Sequence, residues 1–294
     1  MFREQVRSYI SERWPETLLS ISIPHGYKRV GHVAILNTEE LSSELEEILG
    51  QAVLDSLAKT GIQTVAIRTA PTSKTFRTPQ IRVIAGRNQT ETIHKEHGIK
   101  FILDAARITF SAGNLHERKR MIELLQKGFL VDMCCCVGNL SLPAVFHRAP
   151  DLTALGIEIN PLAYRFLTET IQTNGLSDYY KTILGDSRVL APKDIADHVL
   201  IGCWGADDEL LNAAVQVLKQ DQGGMIYLHA VQPRRSRDQT KNRVERILAE
   251  ISSPLKISKI SKRRVKWISP SHEHRVTDIL LQTRPSKTRL VSIN

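Results

Sequence analysis

The 294-residue sequence lacks a continuous apolar run of about 18 residues, which is roughly the length that a helix needs to cross a membrane. Its first residues, Met-Phe-Arg-Glu-Gln-Val-Arg, carry charges where a secretion signal would have an apolar core. We therefore expect a cytosolic protein without a membrane partner.

Cysteine is scarce, and no Cys-x-x-Cys pair occurs among the four cysteines. Three of them are consecutive, Cys134, Cys135 and Cys136, and Cys203 lies far away in the sequence. Consecutive residues of a strand point to opposite faces, so these thiols cannot easily converge on one metal ion. The sequence predicts small buried cysteines and no metal.

Acidic residues are sparse towards the C-terminus. From Pro233 to the last residue there are 16 Lys and Arg against five Asp and Glu, a surplus of +11 in a chain whose net charge is +9. This surplus favours an anionic partner, most simply nucleic acid, over a merely basic surface. Trp267 follows a run of basic residues, where it either stacks on a base or belongs to the core. The basic residues expected to contact the phosphates lie soon after Pro233 or just before Trp267. They are Arg234, Arg235, Arg237, Lys241, Lys262, Arg263, Arg264 and Lys266.

The complete Gly-x-Gly-x-x-Gly motif of a pyrophosphate-binding turn is missing. Residues 129–161 nevertheless predict a buried strand at Leu130–Met133, a turn near Gly138, a helix, and a second strand that ends at Glu158. An acid about 20 residues beyond the glycine is typical of βαβ units that bind a nucleoside. An α/β core without a ligand is the alternative.

Strands and helices alternate after residue 114, which predicts a mostly parallel sheet covered on both faces. The first third predicts a smaller α+β unit with a loop at 69–79 and a turn at His97-Gly98. Near the C-terminus, 257–260 and 265–268 are predicted as separate strands. We therefore expect an N-terminal domain at 1–108 and a catalytic domain at 109–294.

Acids follow three successive predicted strands, at Asp132, Glu158 and Asp186. Ligands of such sheets bind beyond the carboxyl ends of the strands. Glu158 is suited to the ribose hydroxyls, Asp186 to an adenine amino group, and Asp132 either to the charged end of the ligand or to orienting the turn. These roles suit S-adenosylmethionine, whose sulfonium and amine favour acids, better than a dinucleotide.

At these residues the chain resembles the tRNA methyltransferase and tRNA wybutosine-synthesizing protein 2 family. The resemblance covers about residues 29 to 285 and consists of several separate motifs. They are Arg29–Val33, Phe76–Pro79, Ile84–Gly86, His94–Lys100, Phe110-Ser111 with Asn114, Glu117 and Arg118, Val131–Met133, Gly138, Leu140–Pro143, and Ile157–Pro161 with Tyr164.

The resemblance implies a class I methyltransferase-type Rossmann fold, S-adenosylmethionine as co-substrate and phenylalanine-accepting tRNA as partner. The sequence does not determine the oligomeric state, and we expect a monomer. It also implies that the pocket is lined by Ser111, Arg118, Glu158, Asp186 and Ser187, with Asp132 and Gly138 in the first turn. A guanidinium such as that of Arg118 suits the methionine carboxylate.

Two departures from the family pattern bear on the reaction. Cys136 stands where the family has the first glycine of the turn, a position at which a side chain narrows the approach or demands a different backbone angle. Residues 201–205 lack the Asn-Pro-Pro motif of the methylating branch. The resemblance then implies transfer of the 3-amino-3-carboxypropyl group to C7 of 4-demethylwyosine.

Other activities remain open at the level of the sequence. They are tRNA guanine-N1 methylation, tRNA binding without catalysis, and transfer to a small molecule or peptide. His229 is either the proton acceptor or a residue of the core or a loop, and no catalytic residue is assigned.

Overall fold

The structure, a computed structural model, describes residues 2–73, 76–235 and 239–283. The chain divides into two compact units. The first consists of Met1–His116 with Asn160–Gly175, and the second of Glu117–Ile159 with Leu176–Asn294. Among the described residues, no helix has the length and apolar character required to span a membrane. The expected division near residue 108 stays a prediction.

Within the described residues, the helices are α1 (Phe2–Arg13), α2 (Ser43–Ser56), α3 (Leu115–Leu124), α4 (Leu142–Arg148), α5 (Pro161–Thr173), α6 (Ser187–Leu190), α7 (Asp208–Val217) and α8 (Thr240–Glu250). The strands are β1 (Tyr27–Val30), β2 (Val33–Leu36), β3 (Thr64–Ser73), β4 (Thr78–Gly86), β5 (Glu91–Glu96), β6 (Ile99–Asp104), β7 (Gly128–Asp132), β8 (Leu152–Glu158), β9 (Tyr180–Leu184), β10 (His198–Ile201), β11 (Gly223–Pro233), β12 (Leu255–Trp267) and β13 (His272–Thr283).

The first unit contains a four-stranded sheet in the order β1-β2-β3-β4, in which only β2 and β3 are parallel. The loop expected at 69–79 is wrong, because β3 continues to Ser73 and β4 begins at Thr78. Backbone pairing of Arg68 with Ile81 and of Ala70 with Gln80 extends this ladder. The segment shows no apolar alternation, so its pairing was invisible in the sequence.

The same unit contains the hairpin of β5 and β6, which turns at His97-Gly98 as expected. It packs against α5, and side chains of α5 and of the residue that follows it bind the edge of β6. Asn174 Oδ1 accepts from the Lys100 N–H at 3.0 Å, and Thr170 Oγ1 accepts from the Ile102 N–H at 3.0 Å. Two polar side chains therefore satisfy backbone donors that no further strand covers.

The second unit is built on a seven-stranded sheet in the order β12-β13-β11-β10-β7-β8-β9. The strands from β11 to β9 are parallel to their neighbours, whereas β13 and β12 are antiparallel. The expected α/β architecture with a mostly parallel sheet is confirmed. The prediction of two separate strands at 257–260 and 265–268 is wrong, because β12 is one continuous strand. It contains two register shifts, between Ile257/Lys259 and Arg264/Lys266, and each shift changes which residues face the core.

The register of this sheet places the ends of four parallel strands along one edge. Asp132 pairs with Gly156 and with Leu200, and Glu158 pairs with Leu184. The residues that follow β7, β8, β9 and β10 therefore share the carboxyl edge of the sheet, where ligands bind in such folds. Below this edge lies an apolar core that includes Val131, Ile157, Val199, Ile201, Leu211, Ala214 and Ile226.

Candidate active site

Asp132 ends β7 with its carboxylate turned into the protein, only 2% exposed. Its Oδ2 accepts a hydrogen bond from Ser141 Oγ at 2.6 Å, and its Oδ1 accepts from the Cys134 N–H at 3.3 Å. Ser141 Oγ lies 2.7 Å from Tyr180 Oη. Burial raises the pKa of Asp132 to about 7 although both hydrogen bonds oppose the shift. Of its two expected roles, this geometry favours orienting the turn.

Glu158 connects the end of β8 to the same turn. Its Oε2 accepts a hydrogen bond from the Cys136 N–H at 2.7 Å, and the residue is 8% exposed. A carboxylate bound by a backbone N–H is fixed in position before a ligand arrives. The residue type and place agree with an acceptor for ribose hydroxyls.

The turn between β7 and α4 contains two residues with positive φ. Gly138 has φ +79°, and a Cβ at this position would lie 2.2 Å from Leu142 Cδ1. Cys136 has φ +53°, a conformation that costs a residue with a side chain roughly 1–2 kcal/mol. The turn therefore keeps a glycine-like backbone at Cys136 despite the side chain.

The cysteines lie at this edge of the sheet. Cys135 is buried, Cys134, Cys136 and Cys203 are partly buried, and all four side chains are reduced thiols. Cys134 Sγ lies 2.8 Å from the Sγ of Cys203, which follows β10. This thiol contact, with burial, raises the pKa of Cys134. Within the described part of the chain, no group of three or more His, Cys, Asp and Glu could hold a metal ion.

Asp186 follows β9 on the strand next to Glu158. The preceding residue, Gly185, donates its N–H to the Glu158 carbonyl at 2.8 Å. Asp186 caps α6 by accepting from the Arg188 N–H at 2.9 Å, and it pairs with the Arg188 guanidinium at 2.6 Å. That guanidinium lowers the pKa of Asp186, which is therefore ionised at neutral pH. Ser187 beside it is buried.

Arg118 lies on α3 and is fully buried. Its neighbour Glu117 is fully buried as well, and its carboxylate pairs with Arg120 at 2.9 Å and with Arg263. Ser111 precedes a short 3₁₀ turn and belongs to the first unit, whereas the other six expected site residues belong to the second. The place of Ser111 in the pocket stays a prediction.

Two histidines form a buried pair, of which the sequence analysis had singled out only one. His229 Nδ1 lies 3.0 Å from His274 Nε2, and both residues are fully buried. Burial, followed by the charge of His274, lowers the pKa of His229 to about 3. His229 is therefore neutral and weakly basic at pH 7. No local pattern reveals its partner on β13, because the polar residues His272, Glu273 and His274 do not alternate in burial.

Two family models cover most of the chain. One, described as the TRM5/TYW2 methyltransferase domain, matches residues 92–256, and the other, described as the TYW2 N-terminal domain, matches residues 6–90. The chain belongs to the TRM5/TYW2 family. The expected family is thereby confirmed, and the second match relates its N-terminal part to the TYW2 branch.

Named relatives of this TRM5/TYW2 chain include two archaeal proteins called tRNA(Phe) (4-demethylwyosine(37)-C(7)) aminocarboxypropyltransferase. The protein of Methanocaldococcus jannaschii is 32% identical over 86% of this chain and 96% of its own length. That of Pyrococcus horikoshii is 30% identical over 94% of this chain and 96% of its own length. A crystal structure titled P. horikoshii TYW2 in complex with MeSAdo superposes with a TM-score of 0.78 at 26% identity, covering 96% of this chain and 100% of that one. The expected Rossmann-type fold with a smaller N-terminal domain is confirmed.

Proposed function

We propose that this protein transfers the 3-amino-3-carboxypropyl group of S-adenosylmethionine to C7 of 4-demethylwyosine, next to the anticodon of phenylalanine-accepting tRNA. The observation that carries the proposal is the segment at the end of β10, Ile201-Gly202-Cys203-Trp204-Gly205, at the carboxyl edge of the sheet. It has no Asn-Pro-Pro, the motif of the methylating branch. The two relatives named for aminocarboxypropyl transfer, each matched over nearly its whole length, support the same branch.

The residues at the edge of the sheet fit S-adenosylmethionine by their chemistry. Glu158, fixed by the Cys136 N–H, accepts from the ribose hydroxyls, and Asp186 accepts from the adenine amino group. Asp132 orients the turn through Ser141 and the Cys134 N–H. The site does not need a phosphate-binding glycine motif, because S-adenosylmethionine carries no phosphate group.

The methionine end of the ligand is assigned to cationic and hydroxyl groups. The fully buried guanidinium of Arg118 is suited to bind the carboxylate with two parallel hydrogen bonds. Ser111 and Ser187 supply further polar contacts, and Gly138 lets the backbone of the turn adopt its positive φ. Each of these assignments is tested by cofactor affinity in single variants.

Orientation of the sulfonium decides which group is transferred. The sulfur carries three carbons, and an in-line nucleophile at roughly 3–3.5 Å attacks the one presented to it. When the methionine side chain points to C7, a new C–C bond forms, the S–C bond breaks with its electron pair on sulfur, and the proton of C7 passes to water. The sulfonium is a good leaving group, so the protein needs only to position the two reactants.

The experiment is mass spectrometry of tRNA nucleosides after incubation of protein, S-adenosylmethionine and tRNA(Phe) bearing 4-demethylwyosine. We expect a mass gain equal to the aminocarboxypropyl group, with release of methylthioadenosine. On tRNA(Phe) with an unmodified guanine at the same position, guanine-N1 methylation would instead add one methyl group and release S-adenosylhomocysteine. If the protein binds tRNA but transfers neither group, the result would indicate tRNA binding without catalysis.

A further inference from the structure

The hairpin of β12 and β13 rises beyond the edge of the sheet that holds the candidate cofactor site. β10 ends at Ile201, which pairs with Leu228 of β11. β11 continues for five more residues to Pro233, which still pairs with His272 of β13. At about 3.3 Å per residue, the strands extend roughly 16 Å past the end of β10. The turn at 267–272 therefore stands on the cofactor side of the sheet.

Trp267 lies at this turn with 45% of its surface exposed. The guanidinium carbon of Arg264 lies 4.1 Å from the centroid of the indole ring, and that of Arg234 lies 4.4 Å from it. The Arg234 N–H donates to the Ser271 carbonyl at 3.0 Å, which ties the end of β11 to the turn. We call Arg234, Arg264 and Trp267 the Arg–Trp cluster.

The positive charge of the Arg–Trp cluster has no acidic partner among the residues that the structure describes. Among the described residues, no carboxylate lies within ion-pair distance of Arg234 or Arg264. The acids of the hairpin are engaged elsewhere, since Glu273 pairs with Arg275 and Asp278 pairs with Arg120. The exposed surface thus combines an aromatic ring with two cations.

An exposed aromatic ring with planar cations matches the chemistry of an unpaired nucleotide. Bases of single-stranded RNA stack on indole rings or guanidinium planes, and the phosphates bind arginine. We propose that the Arg–Trp cluster binds an unpaired nucleotide of the anticodon loop, beside the base that is modified. This inference rests on the proposed function for its partner, and it assigns to this hairpin a binding surface separate from the cofactor turn.

The experiment measures the affinity for an anticodon stem-loop RNA at several salt concentrations. We expect Trp267→Ala to weaken binding about tenfold or more, the loss typical of one stacked base, and Trp267→Phe to lose less because a ring remains. The double variant R234A/R264A should bind more weakly and lower the slope of log affinity against log salt by about 1 to 2.

A matched control removes two cations from the opposite end of the same strand. Lys256 and Lys259 lie near the amino end of β12, far from the turn, and both are exposed. We expect K256A/K259A to bind the RNA within about twofold of the unchanged protein. Affinity for S-adenosylmethionine and the midpoint of thermal unfolding should stay constant in every variant, which separates lost contacts from lost structure.

Two results would overturn the assignment. Trp267→Ala could bind the RNA as tightly as the unchanged protein, or K256A/K259A could weaken binding as much as R234A/R264A. The proposed function fails separately. If the unchanged protein binds the RNA through the Arg–Trp cluster but transfers no aminocarboxypropyl group, the binding surface is supported and the proposed reaction is refuted. If the unchanged protein performs the transfer but Trp267→Ala binds the RNA as tightly as the unchanged protein, the proposed reaction is supported and the Arg–Trp cluster is not the binding surface.

Discussion

Replacing Glu158 tests the cofactor site most directly. Glu158→Gln keeps the shape of the side chain and removes its charge. A hydrogen bond to a charged group contributes about 1.5–3 kcal/mol, against about 0.5–1.5 kcal/mol for a neutral one. A ribose offers two hydroxyl donors, so we expect a loss of roughly 2–3 kcal/mol, or about 30- to 150-fold in affinity for S-adenosylmethionine.

Glu158→Ala should cost more, because it also leaves the Cys136 N–H without the acceptor that now lies at 2.7 Å. A buried donor left unsatisfied costs about 1–3 kcal/mol, which lowers the free energy of unfolding as well as affinity. The assay is isothermal titration with S-adenosylmethionine and with methylthioadenosine, alongside thermal unfolding. Glu245→Gln is the matched control, since Glu245 lies on α8, is exposed, and pairs with Lys241 at 3.7 Å.

Two outcomes would refute this reasoning in different ways. If both folded Glu158 variants bind S-adenosylmethionine like the unchanged protein, Glu158 does not hold the ribose. If Glu158→Ala is destabilised and binds weakly while Glu158→Gln has full affinity, the side chain serves the turn alone. An equal loss in Glu245→Gln would show that the effect is not specific to the site.

Three further predictions concern the turn after β7. Gly138→Ala should lower the free energy of unfolding by about 3 kcal/mol or more, because it combines positive φ with overlap on Leu142, whereas Gly205→Ala has φ +88° in open space and should lose only about 1 kcal/mol. Asp132 holds its proton in the folded state up to about pH 7, but the unfolded chain releases it near pH 4; the contribution of Asp132 to the free energy of unfolding should therefore fall by roughly 4 kcal/mol between these pH values, measured in urea titrations as the difference between the unchanged protein and Asp132→Asn. Cys136→Gly should raise the free energy of unfolding by up to about 1 kcal/mol and should not weaken binding of S-adenosylmethionine, since φ +53° suits glycine.

Each of these three has a result that contradicts it. Equal losses in Gly138→Ala and Gly205→Ala would mean that Leu142 yields and that overlap costs nothing. The same pH dependence in Asp132→Asn and in the unchanged protein would assign it to other groups. A Cys136→Gly variant with weaker binding would show that the thiol contributes to the pocket.

Local sequence patterns predicted the parts of the fold that bury apolar side chains. The helices of the second unit bury one face, which forces a helical period, and its central parallel strands are buried on both faces, which makes them continuous apolar runs. Prediction from such patterns fails where the backbone pairs without a buried face, as in β3 and β4 beyond Arg68, and where irregularities reset the alternation, as in β12. Ladder hydrogen bonds between distant segments leave no periodic trace in a sequence.

The sequence by itself determined which residue types stand at the ends of the strands: Asp132, Glu158 and Asp186 follow apolar runs whatever their partners. Only the tertiary structure decided that Glu158 binds the Cys136 N–H, that Asp132 is buried against Ser141, and that the hairpin turn stands on the cofactor side. The physical reason is that apolar periodicity is set by each segment alone, whereas burial of a charge depends on the segments that surround it.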